Sequence, residues 1–284
     1  MTARLGWAPY ALLLPSLAFL AVFFATPMIQ AFALAFQDTA GNWSLASIER
    51  MLADASFRSA LTTTLALVVL VIPVQFALAM SMALIVNAQL RGQGMWLYVY
   101  AIPLGISELA AGIVWVSIFT QTGWLNSILE GLGLISSPIT WQSAETRWLL
   151  IGTVVVAEAW RATSIIMIIL VAGLQSIPRE FFEAADVYGA TTWQKVRRVV
   201  LPMLRPSLQV ALILRTILAF QVFATVIALA GTGLDVLAGE AQRWATDIDN
   251  DNVAAAFAGL ILLLSIFGTI LFLVLLPTRE EQNA

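Results

Sequence analysis

RSALTTTLALVVLVIPVQFALAMSMALIVN, residues 58–87, carries no charged side chain after its first residue. A bilayer core about 30 Å thick is crossed by about 20 helical residues, so this stretch alone predicts a transmembrane helix. Pro73 lies within it, a breaker that membrane helices tolerate where a neighbouring helix or water satisfies the freed carbonyl. To either side lie further apolar stretches of similar length, at 8–36, 95–120, 148–175, 203–230 and 253–277. The sequence therefore predicts an all-α integral membrane protein, six transmembrane helices in a single domain over residues 1–284. The first stretch is too long for a cleavable signal region, and Pro9, Pro15 and Pro27 with an aromatic-rich centre fit a retained, kinked anchor.

Composition agrees. Hydrophobic residues make up 60% of the chain and charged residues 11%, with a mean hydropathy of +0.90. A soluble domain averages about 25% charged and about 45–50% apolar residues, so this chain has too little polar surface to face water. The net charge of −3 and the lack of a basic block exclude a nucleic-acid partner. With no cysteine and no histidine, disulfides, thiolate or imidazole metal sites and Ser-His-Asp catalysis are excluded together. No Asp/Glu cluster has the spacing of a calcium loop.

Six spans put both termini on one side. With the termini inside, the inner segments hold Arg4, Arg91, Arg179, Lys195, Arg197, Arg198, Arg205 and Arg279, and the outer ones Arg50, Arg58, Arg147 and Arg243. Asp235, Glu240, Asp247, Asp249 and Asp251 crowd the outer segments. Because the positive-inside rule counts basic residues, the termini are expected in the cytoplasm.

Most of that bias comes from one inner loop, residues 176–202. Pro178 suits the first turn of a helix, where its missing N–H has no intrahelical partner. Glu180 and Glu183 lie near the positive end of that helix dipole, Ala184 and Ala185 favour helix, and Gly189 fits a left-handed stop. A second short helix follows, opened by a capping box of Thr191 with Gln194 and ended by Pro202. The loop reads as a helix–glycine–helix elbow with one acidic and one basic turn.

Here the sequence resembles a known family. Glu183-Ala184-Ala185, three residues, Gly189-Ala190, then a hydrophobic and basic run into Leu201-Pro202 and on to Pro206 is similar to the signature loop of binding-protein-dependent ABC importer permeases. Gly173 to Pro178, reading GLQSIP, resembles the carbohydrate branch, the maltose, trehalose and glycerol-phosphate type. The opening LLLPS, residues 12–16, with Pro27 beyond it, is similar to the first of the two permeases in such systems. The resemblance implies a type I ABC importer permease, of maltose- and methionine-importer architecture, in a bacterial or archaeal cytoplasmic membrane. It implies that Glu180, Glu183, Ala184, Ala185, Asp186, Gly189 and Ala190 form a coupling helix that docks on a cytoplasmic ATPase. The implied partners are a second permease, two ATP-binding subunits, an extracytoplasmic solute-binding protein, membrane lipid and a sugar, with trehalose or maltose ahead of glycerol-phosphate-type solutes. One segment departs from the pattern: the Gly-Gly-Gly-Pro-like turn expected after the fifth span reads Leu229-Ala230-Gly231-Thr232-Gly233-Leu234. The outer loop at 37–57 is short, without the large inserted domain of some relatives.

No cofactor is expected on this chain. A phosphate-binding loop needs a lysine after glycine, and the one lysine, Lys195, follows Trp193 and Gln194. ATP and Mg would thus be bound and hydrolysed by partner subunits, and the chain itself is not read as an enzyme. Substrate-path candidates are the polar and aromatic residues of the spans: Glu108, Trp115, Glu158, Trp160, Arg161 and Gln221, with Arg215 also intramembrane. Glu158 and Arg161 sit three apart on one helix face and can pair. That pair reads either as internal glue or as hydrogen bonding to sugar hydroxyls, with Trp160 or Trp115 stacking on a sugar face. A rival reading is a proton-coupled secondary transporter that uses Glu108 or Glu158; its coupling would not need the cytoplasmic elbow.

Overall fold

The computed structural model describes residues 7–88 and 92–277. Arg4, Arg91 and Arg279, which enter the charge count above, lie outside the described residues. Along the chain the helices are α1 (Ala8–Leu20), α2 (Thr26–Ala35), α3 (Ala46–Ala53), α4 (Phe57–Asn87), α5 (Gln93–Ala101), α6 (Glu108–Phe119), α7 (Trp124–Gly131) and α8 (Arg147–Gln175). Then come α9 (Arg179–Val187), α10 (Thr192–Lys195), α11 (Leu201–Met203), α12 (Arg205–Phe220), α13 (Ala224–Ala230), α14 (Leu237–Thr246) and α15 (Asp251–Leu275). Four helical stretches are long and apolar enough to cross a membrane, and the number rises to six if each of two bent pairs is one span.

The chain divides into two compact units, Met1–Phe57 with Glu240–Leu260, and Arg58–Gly239 with Ile261–Ala284. In the first, α1 and α2 join through a π turn, Ala21–Ala25, into one exposed apolar rod. The π turn stops two residues before Pro27, and Thr26 donates its N–H back to Ala21. A second π turn, Val196–Val200, stands in the same relation to Pro202, with the Leu201 N–H on Val196. Proline has no N–H and crowds the turn before it, and in both places the helix widens by one residue rather than breaking. At the other end of the first unit, the Asn252 side chain donates to the Leu34 carbonyl at 3.0 Å and ties the end of α2 to the start of α15.

The second unit is built on α4 and α8. One apolar cluster joins Ala79, Ala83 and Val86 of α4 to Ile166, Met167 and Leu170 of α8. Another joins Leu67 of α4 to Leu150, Ile151 and Val154 of α8 and to Val226 of α13. Ala79 and Ala83, one helical turn apart on α4, are fully buried in the first of these clusters. Gln75 on α4 and Glu158 on α8 fall between these clusters, so the middle of each helix is polar while the parts on either side are not.

Two predicted spans differ from a continuous helix. The stretch at 95–120 breaks at Ile102–Gly105, a 3₁₀ turn containing Pro103; Ile106 and Ser107 are extended, and the helices on either side lie 100° apart. Pro73 leaves α4 unbroken, so position, not residue type alone, decides which proline breaks a span. Ser107 starts α6 afresh, its hydroxyl accepting the Ala110 N–H at 3.2 Å. The stretch at 203–230 stops at Phe220 and resumes at Ala224. Its α13 packs tightly on α6: a Cβ at Gly112 would lie 2.5 Å from that of Ala228, so only glycine admits the contact. The elbow's second helix also differs from its predicted end. It runs through Pro202 to Met203, and the chain then turns by 71° into α12.

Candidate functional site

Glu158 is buried at the centre of α8, and its carboxylate gathers donors from three helices. Arg215 of α12 donates through Nη2 to Oε2 at 2.9 Å, and Arg161 reaches both oxygens through Nη2 at 3.3 Å. Thr225 of α13 donates its hydroxyl to Oε1 at 2.6 Å. Gln75 of α4 closes the arrangement: Nε2 donates to the Glu158 carbonyl at 2.7 Å, and Oε1 accepts from Arg215 Nε at 2.5 Å. Arg215 and Glu158 both have side chains 2% exposed. A buried ion pair offsets its desolvation only when its remaining donors and acceptors are also satisfied. Gln75 and Thr225 meet that condition, so the four residues pin α4, α8, α12 and α13 together.

Next to this clamp lies a cavity of about 200 Å³, lined by Leu104, Glu108, Arg161, Arg215, Leu218 and Gln221, among others. Both helix breaks reach it: Leu104 lies in the first and Glu108 just after it, Gln221 lies in the second and Leu218 just before it. Glu108 Oε1 accepts the Phe223 N–H, freed by the second break, at 3.3 Å. Irregular backbone at membrane depth is sustained where it is buried in protein or lines a cavity, and these two breaks meet that condition by facing each other. Arg161 Nε is buried and has no hydrogen-bond partner among the described residues.

The candidate residues thus separate. Glu108, Arg161 and Gln221 line the cavity, whereas Glu158 is spent inside the clamp. Trp115 and Trp160 are not among the cavity-lining residues; their rings meet edge to face at 6.0 Å, and Trp115 stacks on Phe119 at 5.4 Å. The Trp115 indole N–H is buried without a partner among the described residues. Sequence reasoning missed Gln75, Thr225 and the Phe223 N–H. Gln75 had a readable signal, being the one amide side chain between Arg58 and Val86; Thr225 had none, because threonine is common in membrane helices.

At the opposite end of α8 the elbow is built from local signals. Pro178 stands at the N-cap of α9, one residue before its first turn. The Gly189 N–H bonds to the Asp186 carbonyl and the Ala190 N–H to that of Ala185, both at 2.9 Å. These are the paired bonds of a Schellman stop, and Gly189 supplies the φ of +66° that the stop requires. Thr191 then opens α10 with both halves of a capping box: its hydroxyl accepts the Gln194 N–H at 3.3 Å, and Gln194 Oε1 accepts the Thr191 N–H at 2.8 Å. Lys195 pairs with Asp186 across the turn. Phe182 packs on the apolar cluster of α4 and α8, so the elbow is seated on the transmembrane helices. Glu180, Glu183, Ala184, Asp186 and Gly189 are exposed, while Ala185 and Ala190 are half-buried. Val187 and Tyr188 are 86% and 89% exposed. Between the elbow and the ends of α4 and α8 runs a groove of about 650 Å³ lined by Asn87, Leu174, Gln175, Arg179, Glu183 and Asp186, among others.

Comparison with known proteins adds the following. The family model for the binding-protein-dependent transport system inner membrane component matches residues 75–281. The trehalose transport system permease protein SugA of Mycobacterium tuberculosis is 37% identical over 131 residues, 46% of this chain and 40% of that protein. The trehalose/maltose transport system permease protein MalF of Thermococcus litoralis is 35% identical over 136 residues, 48% of this chain and 45% of that protein. Each of those alignments thus spans less than half of the relative. A probable ABC transporter permease protein of Brucella suis is 29% identical over 290 residues, covering 97% of this chain and 98% of that one. A chain of a bacterial alginate ABC transporter, solved in complex with an alginate pentasaccharide-bound periplasmic protein, has the same fold: the TM-score is 0.80 over 96% of each chain, at 24% identity.

Proposed function

Because the chain belongs to the family of binding-protein-dependent transport system inner membrane components, we propose that it is the permease subunit of an ATP-driven sugar importer, forming half of the translocation pathway. The observation that carries this reading is the elbow. A helix pair stopped and restarted by hydrogen-bonded caps, seated through Phe182 on the core of α4 and α8, can pass force to those helices. Its outer tip exposes Val187 and Tyr188. Apolar side chains gathered at an exposed tip suit contact with another protein. A cytoplasmic ATPase is that partner.

In this reading a solute-binding protein delivers sugar to an outward-facing cavity. ATP and Mg, held by two ATP-binding subunits, close those subunits, and the elbow turns the closure into rocking of the transmembrane helices. A second permease supplies the other half of the path. The chain lies in a bacterial or archaeal cytoplasmic membrane with both termini in the cytoplasm. A disaccharide such as trehalose or maltose is the leading substrate, supported by the names of the two relatives above. The proton-coupled alternative is not favoured. Its coupling would not need the elbow, whose caps are both formed, and both oxygens of Glu158 are held by Arg215, Arg161 and Thr225.

Affinity purification of the tagged chain in mild detergent, with partners identified by mass spectrometry, tests the proposal. An ATPase and a second permease are expected to co-purify, and to be lost when residues 183–189 are altered. A homo-oligomer without ATPase, under conditions that preserve a control importer, would overturn it.

A further inference from the structure

We propose that the second helix of the elbow binds anionic phospholipid headgroups, with Arg197, Arg198 and Arg205 taking the phosphates and Trp193 as an interfacial anchor. This goes beyond the importer reading: it needs the chain's place in a membrane, not its part in transport.

The turn into α12 sets the orientation. Residues 192–203 form one helical run, made of α10, the π turn and α11, and this run meets α12 at 71°. Membrane helices tilt by about 20° on average. A 71° turn out of such a helix leaves the run lying more nearly along the membrane surface than through it.

The two sides of the run set the chemistry. One side is taken up by the protein itself: Val200, and Leu204 just beyond the run, are buried in the apolar cluster of α4 and α8, and Met203 packs against it. Trp193, Arg197, Arg198 and Arg205 are exposed. The three arginines make no hydrogen bond or ion pair among the described residues, whereas Lys195 is held by Asp186. A basic amphipathic helix on a membrane normally buries its apolar side in lipid. Here that side is already covered, so the lipid is met through its headgroups and not its chains. Arginine's planar fork matches a phosphate, and tryptophan suits the headgroup level.

Charge favours lipid over protein as the occupant. α9 carries Glu180, Glu183 and Asp186 and no basic residue after Arg179. The second helix carries Lys195, Arg197 and Arg198 and no acidic one. A negative leaflet attracts basic segments beside a span and repels acidic ones. It therefore draws in the second helix and leaves α9, with Val187 and Tyr188 at its end, to a protein partner.

The chain has no cysteine, so Thr192→Cys carries a single spin label beside Trp193. The labelled full chain is placed in nanodiscs of phosphatidylcholine, with or without phosphatidylglycerol. The label's exposure to a water-soluble relaxation agent is then measured. Phosphatidylglycerol is expected to lower that exposure, and added salt to restore it by screening. Native mass spectrometry with the same two lipids measures affinity. Arg197→Gln with Arg198→Gln is expected to weaken phosphatidylglycerol binding about tenfold or more, at about fivefold for each basic residue at an anionic surface. Arg197→Lys with Arg198→Lys is expected to keep most of it. Where the double glutamine variant fails to fold, Arg205→Gln carries the test, with a loss of about fivefold expected. A label that ignores phosphatidylglycerol, or unchanged affinity in the glutamine variants, overturns the inference. So does loss of a co-purifying ATPase from those variants with lipid binding intact, which gives the arginines to the protein partner. The importer reading is judged apart from these outcomes, by co-purification with the wild-type chain.

Discussion

The clamp around Glu158 and the elbow around Gly189 are both dense in hydrogen bonds, yet they are held together in opposite ways. In the elbow every stabilising bond is local: Gly189 to Asp186, Ala190 to Ala185, Thr191 to Gln194. In the clamp the partners are far apart in the chain. Gln75 lies 83 residues from Glu158 and 140 from Arg215, and Thr225 lies 67 from Glu158. The elbow is also exposed, and its bonds compete with water. The clamp is buried, its ion pair 2% exposed on both sides, so a lost partner leaves a charge at low exposure. A local, exposed device can be weakened in steps; a long-range, buried one fails as a unit.

The largest expected effect therefore falls on the clamp. Glu158→Ala leaves the Arg215 guanidinium buried without its counter-charge. Breaking such a pair from one side costs about 3–5 kcal/mol, a large part of a stability that typically totals ~5–15 kcal/mol. The variant is expected to lose most of its monodisperse fraction in detergent and to unfold at a clearly lower temperature. Removing both charges by Glu158→Leu with Arg215→Met is expected to recover part of the loss, because the fully buried orphan charge is gone while Arg161, 22% exposed, still loses its partner. A single variant as stable as wild type would show that the clamp is not what joins the four helices.

The elbow is expected to respond in function before it responds in stability. Gly189→Pro cannot reach the φ of +66° and removes the N–H that bonds to Asp186. The transmembrane helices do not depend on this turn, so the chain is expected to reach the membrane at its normal level. Uptake by the assembled importer is expected to fall at least tenfold. Gly189→Ala, for which the left-handed conformation costs only about 1–2 kcal/mol, should lie between. Reversal of charge by Glu183→Lys, at the exposed face of α9, is expected to uncouple ATP hydrolysis from uptake. Normal uptake by Gly189→Pro and Glu183→Lys at normal expression would remove the coupling assignment while leaving the clamp untouched.

The same contrast accounts for what could be read in advance. The glycine stop and the capping box were legible because each is written within a few consecutive residues. Glu158, Arg161 and Arg215 were legible as charges too costly to be idle in a membrane, but their division between clamp and cavity was not. Of the two helix breaks, the first has a proline at its centre. The second, at Gln221, Val222 and Phe223, has neither proline nor glycine. What sustains it is the Glu108 carboxylate on Phe223, 115 residues away, a tertiary effect that no local pattern encodes.

The smallest effect belongs to an ion pair with the clamp's chemistry but a more exposed guanidinium, the Arg243 side chain being 35% exposed. Outside the spans, Arg243 reaches Asp54 Oδ2 at 2.9 Å and Glu240 Oε2 at 2.5 Å. Partial burial pushes the Asp54 carboxyl up, but hydrogen bonds from Ser56 and Arg243 and the charge of Arg243 outweigh it, so the group lies below its ordinary value. With the folded value below the unfolded one (about 3.9), the stabilisation is present above pH ~4 and is lost as pH falls through the folded value. Asp54→Asn is therefore expected to lower the unfolding temperature slightly at neutral pH, consistent with the ~0–1 kcal/mol of solvent-facing pairs. The gap between wild type and variant should close below pH ~4. Since Arg243 keeps Glu240, the variant leaves no orphan charge, and that is where it parts from Glu158→Ala: the same carboxylate–guanidinium contact, but with a second acceptor and a guanidinium 35% exposed. A loss as large as that of Glu158→Ala would mean that burial is not what separates the two pairs.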